Sequence, residues 1–243
     1  RYGQTTREEG PLWHEVKSGT PTMGGLVFVV SAALITIGIG AWKEVLNYTT
    51  LTLLFTLLFF ALIGFLDDFI IIFKKQNEGL KSKQKFIAQL VGSAIFVLLF
   101  SISGAEPLIT LPIFGAVDNW IVFALFAIIW ITGFSNAVNL TDGLDGLVAG
   151  TASIAYGAYA YIAYIQGQTE VLLFCLTIIG GLIGFFIYNK KPAKIFMGDV
   201  GSLALGASLA VVALMLRLEW SLLIIGLVFV IETASVILQV SSF

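Results

Sequence analysis

Long apolar runs separated by short polar ones dominate this chain. Eight of them, at 24–42, 49–66, 86–104, 120–138, 147–165, 171–188, 201–216 and 220–240, have about the length of a membrane-crossing helix. The run at 201–216 is short and holds Gly206, Ala207 and Ser208, small residues that permit close packing against neighbouring helices. Between the third and fourth runs, residues 105–119 carry Pro107, Pro112 and Gly115 around Leu108-Ile109-Thr110-Leu111 and read as a short hairpin outside the bilayer. No linker or internal repeat divides the sequence. The pattern predicts an all-α, polytopic integral membrane protein in one domain, 1–243, with eight transmembrane helices.

Composition agrees. The chain is 58% hydrophobic and 12% charged, with a mean hydropathy of +0.97, against roughly 45–50% and 25% in soluble domains. The single cysteine, Cys175, lies inside an apolar run and reads as packing. The chain opens on Arg1 and stops at Ser241-Ser242-Phe243 straight after an apolar run, so it reads as part of a longer sequence.

Charge distribution orients the spans. With eight crossings, 11 of the 13 lysines and arginines fall on one side; only Lys43 and Arg217 fall on the other. Basic loops stay cytoplasmic. On this topology the acidic clusters Asp67-Asp68, Asp142 with Asp145, and Asp199 all meet the cytoplasmic face. Carboxylates at membrane-span ends are costly and mark function.

Each cluster has its own logic. Asp67-Asp68 closes Gly64-Phe65-Leu66-Asp67-Asp68-Phe69. Helix neighbours splay by about 100°, so the pair is expected to do two jobs rather than chelate one ion, and negative charge at a helix C-terminus calls for a cation. The alternative is a solvated helix end. Asp142 and Asp145 share a face if their segment is helical; with Asn139 they offer polar groups to a base, a ribose or a metal-bound water, or else cap a turn. Asp199 precedes a helix beside Gly198, Gly201 and Ser202, whose N–H groups would form an anion site. Mg²⁺ bridging carboxylate and phosphate would account for both features, and a plain N-cap is the rival reading. Phe196 reads as a stacking surface or an interface anchor. Lys17, in the loop before the first span, could meet a phosphate; His14 reads as a surface residue. Lys81 and Lys85 read only as part of the positive-inside signal, and Glu232 as a hydrogen-bonded or kink-lining group.

Four motifs occur in order: Gly19-Thr-Pro-Thr-Met-Gly-Gly25; Gly64-Phe-Leu-Asp-Asp-Phe69 with Gly79-Leu80 and Lys83; Asn136-Ala-Val-Asn-Leu-Thr-Asp-Gly-Leu-Asp-Gly-Leu147; and Phe196-Met-Gly-Asp-Val-Gly-Ser-Leu-Ala-Leu-Gly206. Through them the chain resembles the bacterial phospho-N-acetylmuramoyl-pentapeptide transferase family, within the polyprenyl-phosphate N-acetylhexosamine-1-phosphate transferase superfamily. The resemblance implies transfer of phospho-N-acetylmuramoyl-pentapeptide from UDP-N-acetylmuramoyl-pentapeptide to undecaprenyl phosphate, giving lipid I and UMP in peptidoglycan biosynthesis, with Mg²⁺ as cofactor. It implies a multi-pass protein of the bacterial plasma membrane with a cytoplasmic-face site, a homodimer, and no nucleic-acid partner. By position, Asp67, Asp68 and Asp199 match the family's essential aspartates, with Asp199 the magnesium ligand. Lys17, Thr22, Lys83, Asn139, Asp142, Asp145, Asn189, Phe196 and Gly198 match the nucleotide-sugar cleft. The family has ten transmembrane helices, so the eight runs correspond to the second through ninth. On that resemblance, its first and last helices and its histidine-rich loop are expected outside this sequence.

Two rival functions share these features. A sister enzyme using UDP-N-acetylglucosamine would carry the same aspartate motifs. A cation transporter would instead carry carboxylates near the bilayer midplane, where this sequence offers only Glu232.

Overall fold

A backbone crossing hydrocarbon must satisfy its own polar groups, so each apolar run is expected to close into helix. The computed structural model describes residues 20–74, 79–111 and 115–242; Lys17 and His14 lie outside them. The runs form α1 (Gly25–Trp42), α2 (Tyr48–Lys74), α3 (Ser82–Ile102), α4 (Trp120–Thr141), α5 (Leu147–Ile165), α6 (Thr169–Asn189) and α7 (Asp199–Met215). A 3₁₀ turn (Glu219–Ser221), α8 (Leu222–Ile225) and α9 (Leu227–Ser241) follow. Residues 105–119 hold the expected hairpin: β1 (Leu108–Leu111) pairs antiparallel with β2 (Gly115–Asp118), with Leu108 opposite Asp118 and Leu111 opposite Gly115. Asn119 then caps α4, its side-chain oxygen accepting from the N–H groups of Ile121 (2.9 Å) and Val122 (3.1 Å).

Helices α1 to α6 succeed one another around a ring, and α6 closes back on α1. The short helix α7 fills the middle against α1, α2, α4 and α5, while α9 lies against α4. Every residue of α7 from Val200 to Leu214 is buried, which explains a helix apolar on all sides. Tight packing brings α2 onto the start of α7: a Cβ at Gly64 would collide with the backbone of Asp199 and Val200. Inter-helix polar contacts add direction, among them the Thr36–Thr177 hydroxyl pair (2.7 Å) between α1 and α6 and the Tyr156 hydroxyl donating to Leu205 O (2.9 Å). Apolar side chains such as Val27, Leu34, Ile129, Ile154 and Ile183 point outward from the ring, as lipid-facing residues do.

The all-α polytopic membrane fold holds, but the count of eight spans does not transfer directly. Among the described residues five helices (α1, α2, α3, α4 and α6) are long and apolar enough to cross a membrane, or six with the bent pair. The tyrosines and glycines of α5 lower its hydropathy, and α7 at 17 residues is about 25 Å long, short of a hydrocarbon core of roughly 30 Å. The last run is broken at Gly226, where Glu219–Ile225 and Leu227–Ser241 meet at 79°; glycine is the weakest helix former after proline. Glu232 lies beyond the bend, partly exposed on α9. Two helices also extend beyond the expected runs. Helix α2 continues past residue 66 to Lys74, because Phe69-Ile70-Ile71-Ile72-Phe73 resumes the apolar pattern after the two aspartates, and α3 begins at Ser82, in the polar stretch before its run.

Candidate functional site

Three chain segments meet where α2 passes the start of α7. Asp67 and Asp68 come from α2, Asp199 from the first turn of α7, and one carboxylate oxygen from each lies within 4.8 Å of the others. Asp67 and Asp68 thus stand two turns inside a helix rather than at its C-terminus, and the dipole argument for them falls. Their splay does not keep either carboxylate from Asp199, which both approach. Asp67 and Asp68 are buried, at 7% and 2% exposure, so their negative charge is not dispersed into water.

Their partners differ. One oxygen of Asp67 accepts from the Leu80 N–H (2.9 Å), and the other lies 3.8 Å from Lys85 Nζ. Asp68 accepts from the N–H groups of Val200 (3.2 Å) and Asp199 at the start of α7. The positive end of that helix is thereby taken by a protein carboxylate. The expected phosphate cradle is corrected accordingly: the N–H groups of Gly201 and Ser202 turn inward to Gly198 O, at 3.1 and 3.2 Å.

Asp199 is gripped at both oxygens. Asn139 Nδ2 donates to Oδ1 (2.8 Å) and also to Ser202 Oγ (2.9 Å). Lys85 Nζ donates to Oδ2. Lys85 therefore belongs to the site and is more than a topology signal. Gln89, a polar residue in an apolar run four positions on, marked the inward face of α3 in the sequence. Lys83 is exposed in the first turn of α3.

Asp142 and Asp145 sit in the turn between α4 and α5, not on a helix face, and they separate. Asp142 accepts from the Gly198 N–H and faces Asp199 and Asp68; burial first, then those two charges, hold its carboxyl well above the usual carboxylate range. Asp145 accepts from Ala193 N–H (3.1 Å). Asn189 is buried and braces the same region, accepting from Gly146 N–H (3.1 Å) and donating to Ile195 O (2.9 Å). The segment around Thr22 zips onto the loop before α7: Phe196 N–H donates to Pro21 O (2.8 Å), Gly24 N–H to Phe196 O (2.9 Å) and Gly25 N–H to Met197 O (2.8 Å). Phe196 is half-buried there. Gly198 has φ +75°, and a Cβ on it would meet Asp68 Oδ2 at 2.5 Å and Thr22 Oγ1 at 3.1 Å. Only glycine suits that position.

Among the described residues one lysine faces these three clustered carboxylates, so their oxygens can take further positive charge. Asp67, Asp68 and Asp199 thus fit a divalent cation, with oxygen ligands of the kind magnesium takes.

A membrane-embedded helical bundle with this acidic centre at one end of its axis is the architecture of an integral-membrane transferase, and comparison with known proteins agrees. The family model for glycosyl transferase family 4 matches residues 50–217. The phospho-N-acetylmuramoyl-pentapeptide-transferase signature 1 matches residues 17–29. Proteins named phospho-N-acetylmuramoyl-pentapeptide-transferase are similar along the whole chain. That of Limosilactobacillus fermentum is 61% identical over 243 residues, all of this chain and 75% of the relative. Those of Lactiplantibacillus plantarum and Enterococcus hirae are 57% and 56% identical, each covering all of this chain and 76% of the relative. The chain belongs to the phospho-N-acetylmuramoyl-pentapeptide transferase family.

Proposed function

We propose that this protein transfers phospho-N-acetylmuramoyl-pentapeptide from its UDP conjugate to undecaprenyl phosphate, releasing UMP and forming lipid I for peptidoglycan synthesis. The meeting of Asp67, Asp68 and Asp199 within 4.8 Å, with Lys85 between Asp67 and Asp199, carries this reading. An anionic lipid phosphate must approach an anionic pyrophosphate, so the main obstacle is charge; catalysis consists of positioning and charge neutralisation.

The chain's own groups divide the work. Asp199 is the principal Mg²⁺ ligand, with Asp67 and Asp68 within reach. When bound, the ion supplies positive charge to the transferring phosphoryl oxygens. Asn139 and Lys85 fix the orientation of Asp199. Lys85 adds a second positive charge at the reacting centre. Asp67, held by Leu80 N–H, is the better placed carboxylate to activate the incoming lipid phosphate, since Asp68 is committed to the start of α7. Thr22, Asp142, Asp145, Asn189, Phe196 and Gly198 line or brace the neighbouring loops. By the family motif, these residues serve the sugar nucleotide together with Lys83 and Lys17, with Phe196 as stacking face.

This end of the bundle works at the cytoplasmic face of the plasma membrane, where a soluble nucleotide sugar meets a lipid headgroup; Lys81, Lys83, Lys85, Lys190, Lys191 and Lys194 in the segments flanking it support that side. The protein works as a homodimer. A paired assay tests the substrate: the protein should release UMP from UDP-N-acetylmuramoyl-pentapeptide and not from UDP-N-acetylglucosamine. Comparable release from both would move it to the sister branch.

A further inference from the structure

Helix α3 carries Lys85 to the acidic centre, yet it is the least enclosed of the five spans: 28% of its apolar window is buried inside the protein, against 56% for α2. Lipid resists small shifts and rotation of such a helix only weakly, because its apolar side chains gain little by exchanging lipid for protein and hydrophobic mismatch costs little per Å. Specific polar contacts then refine its height and rotation. One helical turn inward from Lys85, Gln89 is 1% exposed and faces Asn136 of α4. The two amides bond reciprocally: Asn136 Nδ2 donates to Gln89 Oε1 (2.7 Å) and Gln89 Nε2 to Asn136 Oδ1 (3.3 Å). The second hydrogen of Asn136 Nδ2 goes to Thr132 O in its own helix (2.8 Å). A turn deeper still, Ser93 donates to Gln89 O (2.9 Å), and its oxygen lies 3.2 Å from the Thr132 hydroxyl, which is left to act as donor.

The placement of this pair ties it to the site. On α3 it lies four residues from Lys85, which holds Asp199 Oδ2; on α4 it lies three residues from Asn139, which holds Asp199 Oδ1. Asp199 is thus clasped between two helices whose mutual height and rotation the amide pair fixes one turn below. Neither amide touches the carboxylates. We infer that Gln89 and Asn136 are positioning residues for the transfer reaction, acting by setting Lys85 against Asn139 across Asp199. This inference rests on the transferase reading above.

The test uses Gln89→Leu, Gln89→Asn, and the swap of Gln89→Asn with Asn136→Gln, which keeps the combined length of the pair. UMP release is measured per folded enzyme. A shift of about 1 Å at a reacting centre costs up to about 100-fold in rate. Gln89→Leu is therefore expected to lower kcat about 10- to 100-fold with KM for the nucleotide sugar held within about twofold. Gln89→Asn should fall as well, and the swap should recover most of the loss. Independently of activity, reductive methylation read by mass spectrometry should label Lys85 severalfold faster in Gln89→Leu than in the wild type and slowly again in the swap, with exposed Lys83 unchanged as internal standard. Unaltered kcat and Lys85 labelling in folded Gln89→Leu, or a folded swap that recovers neither, would overturn the inference. A wild type inactive toward UDP-N-acetylmuramoyl-pentapeptide would instead overturn the transferase reading, and the labelling result would still decide whether the pair positions Lys85.

Discussion

Replacing Lys85 with methionine keeps the length of the side chain and removes its charge, so it isolates the electrostatic part of the site. In the structure Lys85 Nζ lies 3.8 Å from Asp67 Oδ2 and donates to Asp199 Oδ2. Attraction across 3.8 Å is about 4 kcal/mol at an effective dielectric of roughly 20. The lysine is 18% exposed, and solvent screening together with its desolvation leaves a net of about 1.5–3 kcal/mol for such a charge-assisted contact. If about 2–3 kcal/mol of that is expressed in the transition state, kcat falls about 30- to 150-fold. The carboxylates that remain repel each other, so Lys85→Met should also melt at lower temperature than the wild type without divalent metal. Added Mg²⁺ should narrow that gap, because it supplies the missing counter-charge. UMP release and thermal unfolding, each with and without Mg²⁺, provide the assay. Activity within threefold of wild type, or an unshifted metal-free melt, would refute the argument. Lys83→Met is the internal comparison: exposed in the first turn of α3, it should raise KM for the nucleotide sugar and leave kcat alone.

Two further outcomes follow from the geometry. Gly198→Ala places a Cβ against Asp68 at a positive φ; it should cost about 1–3 kcal/mol in thermal stability and abolish most transfer, and a variant of wild-type stability would contradict the close packing. The pH dependence follows from Asp142, whose carboxyl holds its proton above the usual carboxylate range. Between the ordinary value near 4 and its raised value, the folded state binds more protons than the unfolded one. Its contribution to stability is therefore full below that window and lost as pH rises through it. Metal-free protein should melt at progressively lower temperature as pH rises above that range, Asp142→Asn should flatten the decline, and a metal-free melting temperature that climbs over this range would count against the assignment.

The sequence was legible where hydropathy or covalent order decides the outcome. Apolar run length marked the positions of α1, α4, α5 and α6, the Pro and Gly positions of 105–119 marked the hairpin, and the ordered aspartate motifs brought Asp67, Asp68 and Asp199 into one expected site. The reading of Asp67-Asp68 as a helix end failed because two adjacent charges were taken to close the run, whereas Phe69-Ile70-Ile71-Ile72-Phe73 carries the apolar pattern and the helix on to Lys74. Asp142 and Asp145 looked equivalent at a spacing of three, yet a turn sends one to Gly198 and the other to Ala193. Lys85 was hidden among Lys81 and Lys83 because facing depends on where α3 begins, four residues before the apolar run. The anion site anticipated at the start of α7 was occupied from a distance: nothing local to Gly198–Ser202 shows that Asp68 fills it.

The central claim is that Asp67, Asp68 and Asp199 form one divalent-cation centre at which the phosphoryl group is transferred. Electron paramagnetic resonance of Mn²⁺ bound to the purified protein tests it most directly, in the wild type and in Asp199→Asn, before and after addition of UDP-N-acetylmuramoyl-pentapeptide. The account predicts one tightly bound ion in the wild type, phosphorus coupling that appears on adding the nucleotide sugar, and loss of that ion in Asp199→Asn with the fold retained. Equal Mn²⁺ binding in Asp199→Asn, or a bound ion that never couples to phosphorus, would contradict it.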